Sequence, residues 1–318
     1  MKQAQSTSPK NKRDLLVKIA KLYYYEGLSQ QQIADRLFMS RSNVSMLLKS
    51  CEDNGVVVIR IVDSESKAVD MAARIKDKYS LQDIQIATSH SDPEITQDNA
   101  GALAAAYLER HLETGMKFGF SSGRINLNII SHLDFSDFVK VDSVALSGCL
   151  SGKYSKYGNI EIAHSFMSKL HGDAYTVNAP MMVQSKALKT LLLQEPLIQK
   201  VFQQFPHLDV ALLAIGTAKF PHRMAMHDGQ LSSADVLQLI EMKAEAVICG
   251  RYFDIQGSPC NAGINERILA IDLETLKRIP LRIGVAVGSE RASAVKSILR
   301  SGYVNALIVD EFLARCLI

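Results

Sequence analysis

Apolar positions recur at helical spacing near the start of the chain and give way to strand-length apolar runs beyond residue 80. Leu15, Leu16, Ile19, Leu22 and Tyr23 mark one face of a first helix, which Gly27 ends. Ser29 stands as the cap of a short second helix, residues 30–38, with Ile33, Ala34 and Leu37 turned inward. Ser40 opens a third, from Arg41 to about Asp53, whose buried side is Val44, Leu47 and Leu48. Gly55 stops it, and residues 56–62 read as a strand, the start of a short β wing. Residues 1–12, rich in Ser, Gln, Lys and Asn, read as a disordered arm.

Two short helices about three residues apart, with small Ala34 where they cross, are the pattern of an all-α helix-turn-helix. The third helix then presents Arg41, Ser42, Asn43, Ser45, Met46 and Lys49 outward. Their donors and acceptors suit base edges and phosphates. Asn43 matches adenine, Arg41 matches guanine or a phosphate, and Lys49 a phosphate. A three-helix bundle used for protein contact is the alternative. Phe38 sits where such turns often carry glycine, so a distorted turn or another backbone conformation is expected there.

Past Asp63 a helical segment at 68–79 leads into alternating elements. Strands are expected at 84–88, 117–120, 142–146, 174–177, 210–215, 246–248, 282–287 and 306–309. Helices are expected around 98–112, 122–132, 160–170, 186–204, 232–242 and 290–300. That alternation predicts an α/β domain on a mostly parallel sheet, whose ligands bind beyond the carboxyl ends of the strands. Four glycine-bearing turns lie at such ends. Gly119-Phe120-Ser121-Ser122-Gly123-Arg124 opens a helix, and its amides, hydroxyls and guanidinium suit a phosphate. Ser147-Gly148-Cys149-Leu150-Ser151-Gly152, Ile215-Gly216-Thr217 and Gly288-Ser289-Glu290-Arg291 are the others. Singly each is weak, because glycine ends many strands; together, two of them with arginine, they point to an anion site. The expected organisation is an arm at 1–12, a DNA-binding domain at 13–62, and an effector and oligomerisation domain at 63–318.

Composition narrows the class. The 318 residues are 47% apolar, enough for a large core and about two domains. No apolar run approaches the roughly 18 residues of a membrane span, and the first residues hold no signal-peptide core. Five scattered cysteines without a C-x-x-C suit a reducing compartment and give no zinc or disulfide framework. These features predict a cytoplasmic protein without a metal or cofactor. Residues 1–60 carry ten lysines and arginines against five acids, a net +5 beside +3 for the whole chain. A positive small module on a slightly negative large one is the charge layout of a nucleic-acid binder. His222, His227 and Asp228 share a loop but no ligand spacing. His164 and His171, seven apart, read as structural residues on one helix face. Asp254 and Asp310 read as turn or cap residues, with ligand or subunit contact as the sharper alternative.

With these motifs in place the chain resembles the SorC family of sugar-responsive regulators. The likeness is carried by Tyr24-Tyr25-Glu26-Gly27-Leu28-Ser29-Gln30-Gln31-Gln32-Ile33-Ala34, residues 41–48, and the turn ending in Ser122-Gly123-Arg124. Gly250-Arg251-Tyr252-Phe253-Asp254, Val287-Gly288-Ser289-Glu290-Arg291-Ala292 and the stretch 302–311 complete it, so coverage runs from about residue 14 to the end. The resemblance implies an effector domain shaped like sugar-phosphate isomerases, a phosphorylated sugar or polyol as ligand, and a homotetramer on operator DNA. It places phosphate contacts at Ser121, Ser122, Gly123, Arg124 and Arg291. Three departures stand out. Arg291 replaces the family's usual lysine, Ser147 occupies the place of a Schiff-base lysine, and Val247 stands where an acid commonly reads sugar hydroxyls, with Glu245 two residues earlier as a substitute. An isomerase-type enzyme with an appended helical domain is the competing class; it needs a placed acid–base pair, and Glu245, Asp254 and Glu290 form no recognisable one.

Overall fold

The computed structural model describes residues 9–57, 67–135, 137–150, 157–218, 231–260 and 263–318. It divides into two compact units, Met1–Glu65 and Ser66–Ile318.

In the first unit α1 (Pro9–Ala20) runs into one π-helical turn at Lys21–Tyr25, followed by α2 (Gln30–Leu37) and α3 (Arg41–Asp53). Helix α1 therefore starts inside the stretch read as a disordered arm. Pro9 allows this, because a first-turn proline lacks only an N–H that would have no helical partner. The Ser29 hydroxyl accepts from the Gln32 amide while the Gln32 side chain accepts from the Ser29 amide, a reciprocal cap on α2. Ser40 accepts from the Asn43 amide and caps α3. Such caps stabilise by about 1 kcal/mol each. Ile19, Leu22, Ile33, Ala34, Val44 and Leu48 close one small core between the helices, the set that the apolar spacing selects.

The turn between α2 and α3 is regular. Phe38 itself takes the left-handed conformation (φ 54°, ψ 46°), and the Met39 amide donates to the Ala34 carbonyl at 2.9 Å. Its ring is 97% exposed, so no packing offsets the steric cost of that conformation. Val56 and Val57 pack beside Leu16, Ala20 and Cys51 as irregular chain, and residues 58–62 of the expected strand lie outside the described residues.

The second unit runs α4 (Lys67–Tyr79), β1 (Asp83–Ala87), α5 (Pro93–Glu109), β2 (Lys117–Phe120), α6 (Ile125–His132), β3 (Val141–Cys149), α7 (Asn159–Leu170), β4 (His171–Pro180), α8 (Lys186–Leu192), α9 (Pro196–Phe202) and β5 (Val210–Ala214). It continues through β6 (Gly216–Thr217), α10 (Ser233–Glu241), β7 (Ala244–Ile248), β8 (Arg251–Asp254), α11 (Gly263–Glu266), α12 (Leu273–Arg278), β9 (Leu281–Ala286), α13 (Ala292–Ser301), β10 (Ala306–Asp310) and α14 (Glu311–Leu317). Seven strands form one parallel sheet in the order β1-β10-β9-β5-β2-β3-β4. Alternate residues of a strand feed two cores. Val144, Leu146, Leu213 and Leu307 enter one; Ala145, Leu212 and Ile308 enter the other, with Phe118, Phe120 and Phe166. Burial on both faces is why these strands read as unbroken apolar runs.

Three expectations are corrected. Residues 246–248 belong to a separate antiparallel sheet, β6-β7-β8. The cause is the two-residue turn Cys249-Gly250, both at positive φ (47° and 75°), which returns the chain as a hairpin. The helix expected over 186–204 breaks in two, because Pro196 holds Glu195 extended (ψ 127°). Helix α7 ends at Leu170, and His171 adopts φ 54° to open β4, so His164 and His171 share no helix face.

Replacing Phe38 with glycine should remove the left-handed penalty and stabilise the first unit by about 1 kcal/mol. Hydrogen exchange at the α2 and α3 amides of the full chain checks this; faster exchange in F38G would show that the exposed ring contributes packing.

Candidate functional site

From β2 the chain winds to β3 and β4 on one side and later to β5, β9 and β10 on the other. Beyond the carboxyl ends of the strands at this reversal lies a cavity of about 550 Å³. Residues 122–125 after β2, Leu150 after β3, 214–217 after β5, and 285–287 with Glu290 and Arg291 around the end of β9 line it. The small sheet supplies Val247, Cys249, Gly250 and Tyr252, and Gln97 of α5 enters from another side. Such a crevice is where open parallel sheets hold ligands.

Of the expected effector residues, Ser122, Gly123, Arg124, Gly216 and Arg291 line this cavity, and Ser121, Gly148 and Glu245 do not. Ser121 is buried and taken up by the sheet. Its amide donates to the Leu212 carbonyl (2.9 Å), its hydroxyl accepts from the Ala214 amide (2.8 Å), and its carbonyl accepts from the Asn126 side chain (2.6 Å). Gly148 is a packing glycine: a Cβ there would lie 2.5 Å from the Ala179 carbonyl and 2.8 Å from the Met181 amide. Glu245 lies on β7, where its carbonyl accepts from the Ala218 amide, while Val247 from the same strand reaches the cavity.

Both arginines are engaged by carboxylates. Arg124 meets both Glu94 oxygens at 2.6 and 2.7 Å. The Arg291 guanidinium contacts Glu290 and the Val287 carbonyl. The Arg124–Glu94 pair is largely exposed, and pairs of that kind contribute about 0–1 kcal/mol, little enough for an arriving anion to displace. Ser122, Gly123 and Ile125 line the cavity where α6 begins, an end that favours negative charge. Gly123 permits the approach of this turn to β5, since a Cβ would stand 2.7 Å from that of Ala214.

Asn126 and Asn159 carry roles that the sequence reading missed. Each sits at a helix start and ties back to the end of the preceding strand, Asn126 to the Ser121 carbonyl and Asn159 to the carbonyls of Ser147 and Gly148. An asparagine on an otherwise apolar helix face was the available signal. The Gln97 Oε1 is buried without a hydrogen-bond partner among the described residues. Cys249 faces the same cavity, but burial pushes its thiol up to about 12, so it holds its proton and is no nucleophile at neutral pH.

On α3, Arg41, Ser42, Ser45, Met46 and Lys49 are exposed and Asn43 is half-buried, opposite the buried Val44, Leu48 and Cys51. Asp254 accepts from the Gln256 and Ser258 amides as a turn residue, and Asp310 caps α14. Among the described residues, no His, Cys, Asp and Glu group is placed to hold a metal, and no helix is long and apolar enough to cross a membrane. Ser151, Gly152, His222, His227 and Asp228 lie outside the described residues.

Residues 64–318 match the family model described as "Putative sugar-binding domain", and residues 22–65 match the MarR family. The Sorbitol operon regulator of Klebsiella pneumoniae is 28% identical, covering 96% of this chain and 97% of its own. The Deoxyribonucleoside regulator of Bacillus subtilis is 26% identical over 97% of this chain and 98% of its own. The crystal structure of the full-length Klebsiella pneumoniae sorbitol operon regulator SorC superposes with a TM-score of 0.85 at 26% identity, covering 98% of this chain and 99% of that one.

Native alkylation at pH 8 should leave Cys249 and Cys260, whose thiols burial raises to about 12 and about 11, unlabelled while exposed Cys316 reacts. Between the ordinary thiol value of 9.0 and these raised values the unfolded chain releases protons that the fold keeps, so stability falls as pH rises through that window. Mass spectrometry after brief labelling reads the first point, and rapid labelling of native Cys249 would contradict it.

Proposed function

The chain belongs to the family of SorC-type transcriptional regulators, in which a helix-turn-helix module precedes a sugar-binding domain, and we propose that it controls a carbohydrate-uptake or catabolism operon in response to a phosphorylated sugar or polyol. The observation that carries the effector half of this reading is that Arg124 and Arg291 enter one cavity from the ends of two different strands. A phosphate dianion there competes with Glu94 and Glu290 for the two guanidiniums and gains the amides at the start of α6. Ser122, Gly123 and Gly216 are its close neighbours in this reading, with Ser121 supporting the turn from behind.

At the DNA half, Arg41, Ser42, Asn43, Ser45 and Lys49 contact the operator. Asn43 and Arg41 read bases and Lys49 holds phosphate. Paired modules of a cytoplasmic homotetramer meet half-sites about one helical turn apart, or multiples of that, and effector occupancy changes operator affinity through linkage. The reading assigns no turnover. An isomerase needs a free acid–base pair beside the reacting carbon, whereas Glu290 is bound to Arg291 and the Cys249 thiol keeps its proton. The named relatives span a hexitol and deoxyribonucleosides, so a screen belongs on phosphates of hexitols, pentoses and deoxypentoses.

A thermal-shift screen with those compounds should yield a stabilising ligand by mass action. Arg291→Ala should abolish both that shift and the operator response while leaving DNA affinity unchanged; a normal response would overturn the phosphate assignment. Arg41→Ala or Asn43→Ala should relax preference for the operator by about 1–3 kcal/mol, whereas Lys49→Ala should weaken binding to every duplex alike. Binding isotherms on operator and scrambled duplex separate these outcomes. Failure of the intact protein to bind duplex DNA at low salt, with and without candidate sugars, would overturn the reading as a whole.

A further inference from the structure

The carboxylate of Asp310 lies behind the effector cavity, wholly buried, at the end of β10. It accepts four hydrogen bonds from three stretches of chain. Oδ1 receives the Gly288 amide at 2.6 Å. Oδ2 receives the Ser89 hydroxyl at 2.9 Å and the Phe312 and Leu313 amides at 3.1 and 3.4 Å, and the Phe312 amide is shared with the Ser89 hydroxyl oxygen at 3.0 Å. Gly288 is the hinge of the turn that carries Glu290 and Arg291. Its backbone, at φ 99° and ψ 132°, is closed to other residues, and a Cβ there would fall on the Glu290 carboxylate. The Gly288 carbonyl in turn accepts from the Arg291 amide at 3.1 Å, so the direction of this turn sets where the guanidinium enters the cavity. Phe312 and Leu313 are in the first turn of α14, whose far end receives the Lys78 ammonium and the Tyr79 hydroxyl of α4 on the Leu317 carbonyl, at 3.1 and 3.3 Å.

We propose that Asp310 is a positioning residue for the effector site: one buried carboxylate both aims the Arg291 turn into the cavity and seats the C-terminal helix against α4, so anion binding and the order of that helix are coupled. The inference rests on the anion reading of the cavity given above. A carboxylate, with two acceptor oxygens, is the side chain that suits the four donors. Asparagine has the same shape but one acceptor oxygen, and its amide nitrogen must face either the Gly288 amide or the Ser89 and Phe312 donors. By linkage, a ligand that draws on Arg291 tightens the turn, and through the shared carboxylate the first turn of α14.

The test uses the full chain with inorganic phosphate as probe, against chloride at equal ionic strength. Hydrogen exchange is read at the Phe312 and Leu313 amides and affinity is read by calorimetry. In the wild type, phosphate should slow exchange at the start of α14. Asp310→Asn should weaken phosphate about tenfold or more and uncouple α14 exchange from the ligand. Ser89→Ala leaves the Gly288 bond in place and should keep affinity within about threefold; it also removes one acceptor of the Phe312 amide, so coupling in this variant is read at the Leu313 amide, where slowing by phosphate should persist. Ser185→Ala removes the cap of α8, which makes no hydrogen bond to Asp310 or to the 288–291 turn, and should lower stability with affinity unchanged. An α14 indifferent to bound phosphate in the wild type, or a folded D310N that binds phosphate normally, overturns the proposal alone. A wild type that ignores phosphate overturns the anion reading and this inference with it. Where D310N does not fold, the wild-type and S89A exchange data decide.

Discussion

A parallel sheet wound outward in both directions from one strand cannot cover the carboxyl ends of its strands at the reversal, because the crossover connections leave on opposite sides there. In this chain the reversal falls at β2, and β5 is the neighbour that closes the other half. The ends of these two strands are held together by a side chain as well as by the ladder, since the Ser121 hydroxyl takes the Ala214 amide. Removing that acceptor would leave a partly buried amide unpaired, a cost of about 1–3 kcal/mol. Three parts of the cavity wall hang from this junction. The Ser122–Arg124 turn leaves one strand, residues 215–217 leave the other, and Gly216 pairs with Val247 to bring the small sheet across.

The helix-turn-helix was legible almost whole, because a three-helix module announces itself by caps and a single apolar stripe. Ser29, Ser40, Ala34 and Val44 each have one local reason to be where they are. The parallel strands were legible for a similar reason, as apolar runs buried on both faces. The small sheet was not. The strand at 246–248 was read, but not its sheet, whose geometry comes from Cys249 held at φ 47°, a conformation that sequence patterns do not assign to cysteine. The short helices α11, α12 and α14 also escaped, each too brief to build a periodic signal.

Each of the four expected turns places residues on the cavity wall, and not every side chain named within them does so. Serines and glycines at strand ends are ambiguous, since the backbone competes with a ligand for the same groups. Ser121 and Gly148 look like ligand contacts on paper, yet one is consumed by three hydrogen bonds and the other leaves room for the chain at 179–181. The arginines are less ambiguous, because both line the cavity and each is met there by a glutamate. Asn126 and Asn159 stayed hidden, their task being to satisfy carbonyls that the sheet leaves open.

Pairing each cavity arginine with a tethered glutamate also shapes what the site can prefer. A neutral sugar gains nothing by separating Arg124 from Glu94, and a monoanion must replace a carboxylate that is held at high local concentration. On the proposed reading a dianion differs, because its second charge gives it a use for the second arginine that lines the same cavity. In that reading the glutamates are internal competitors, and they would raise the threshold for weakly charged metabolites more than for phosphate esters. Arginine at 291 strengthens this discrimination relative to lysine, because its planar fork can hold two oxygens of the same phosphoryl group while an ammonium offers a point charge. On the effector reading proposed above, a preference for a phosphorylated ligand would rest on the carboxylates already in the site as much as on the cations that would bind it.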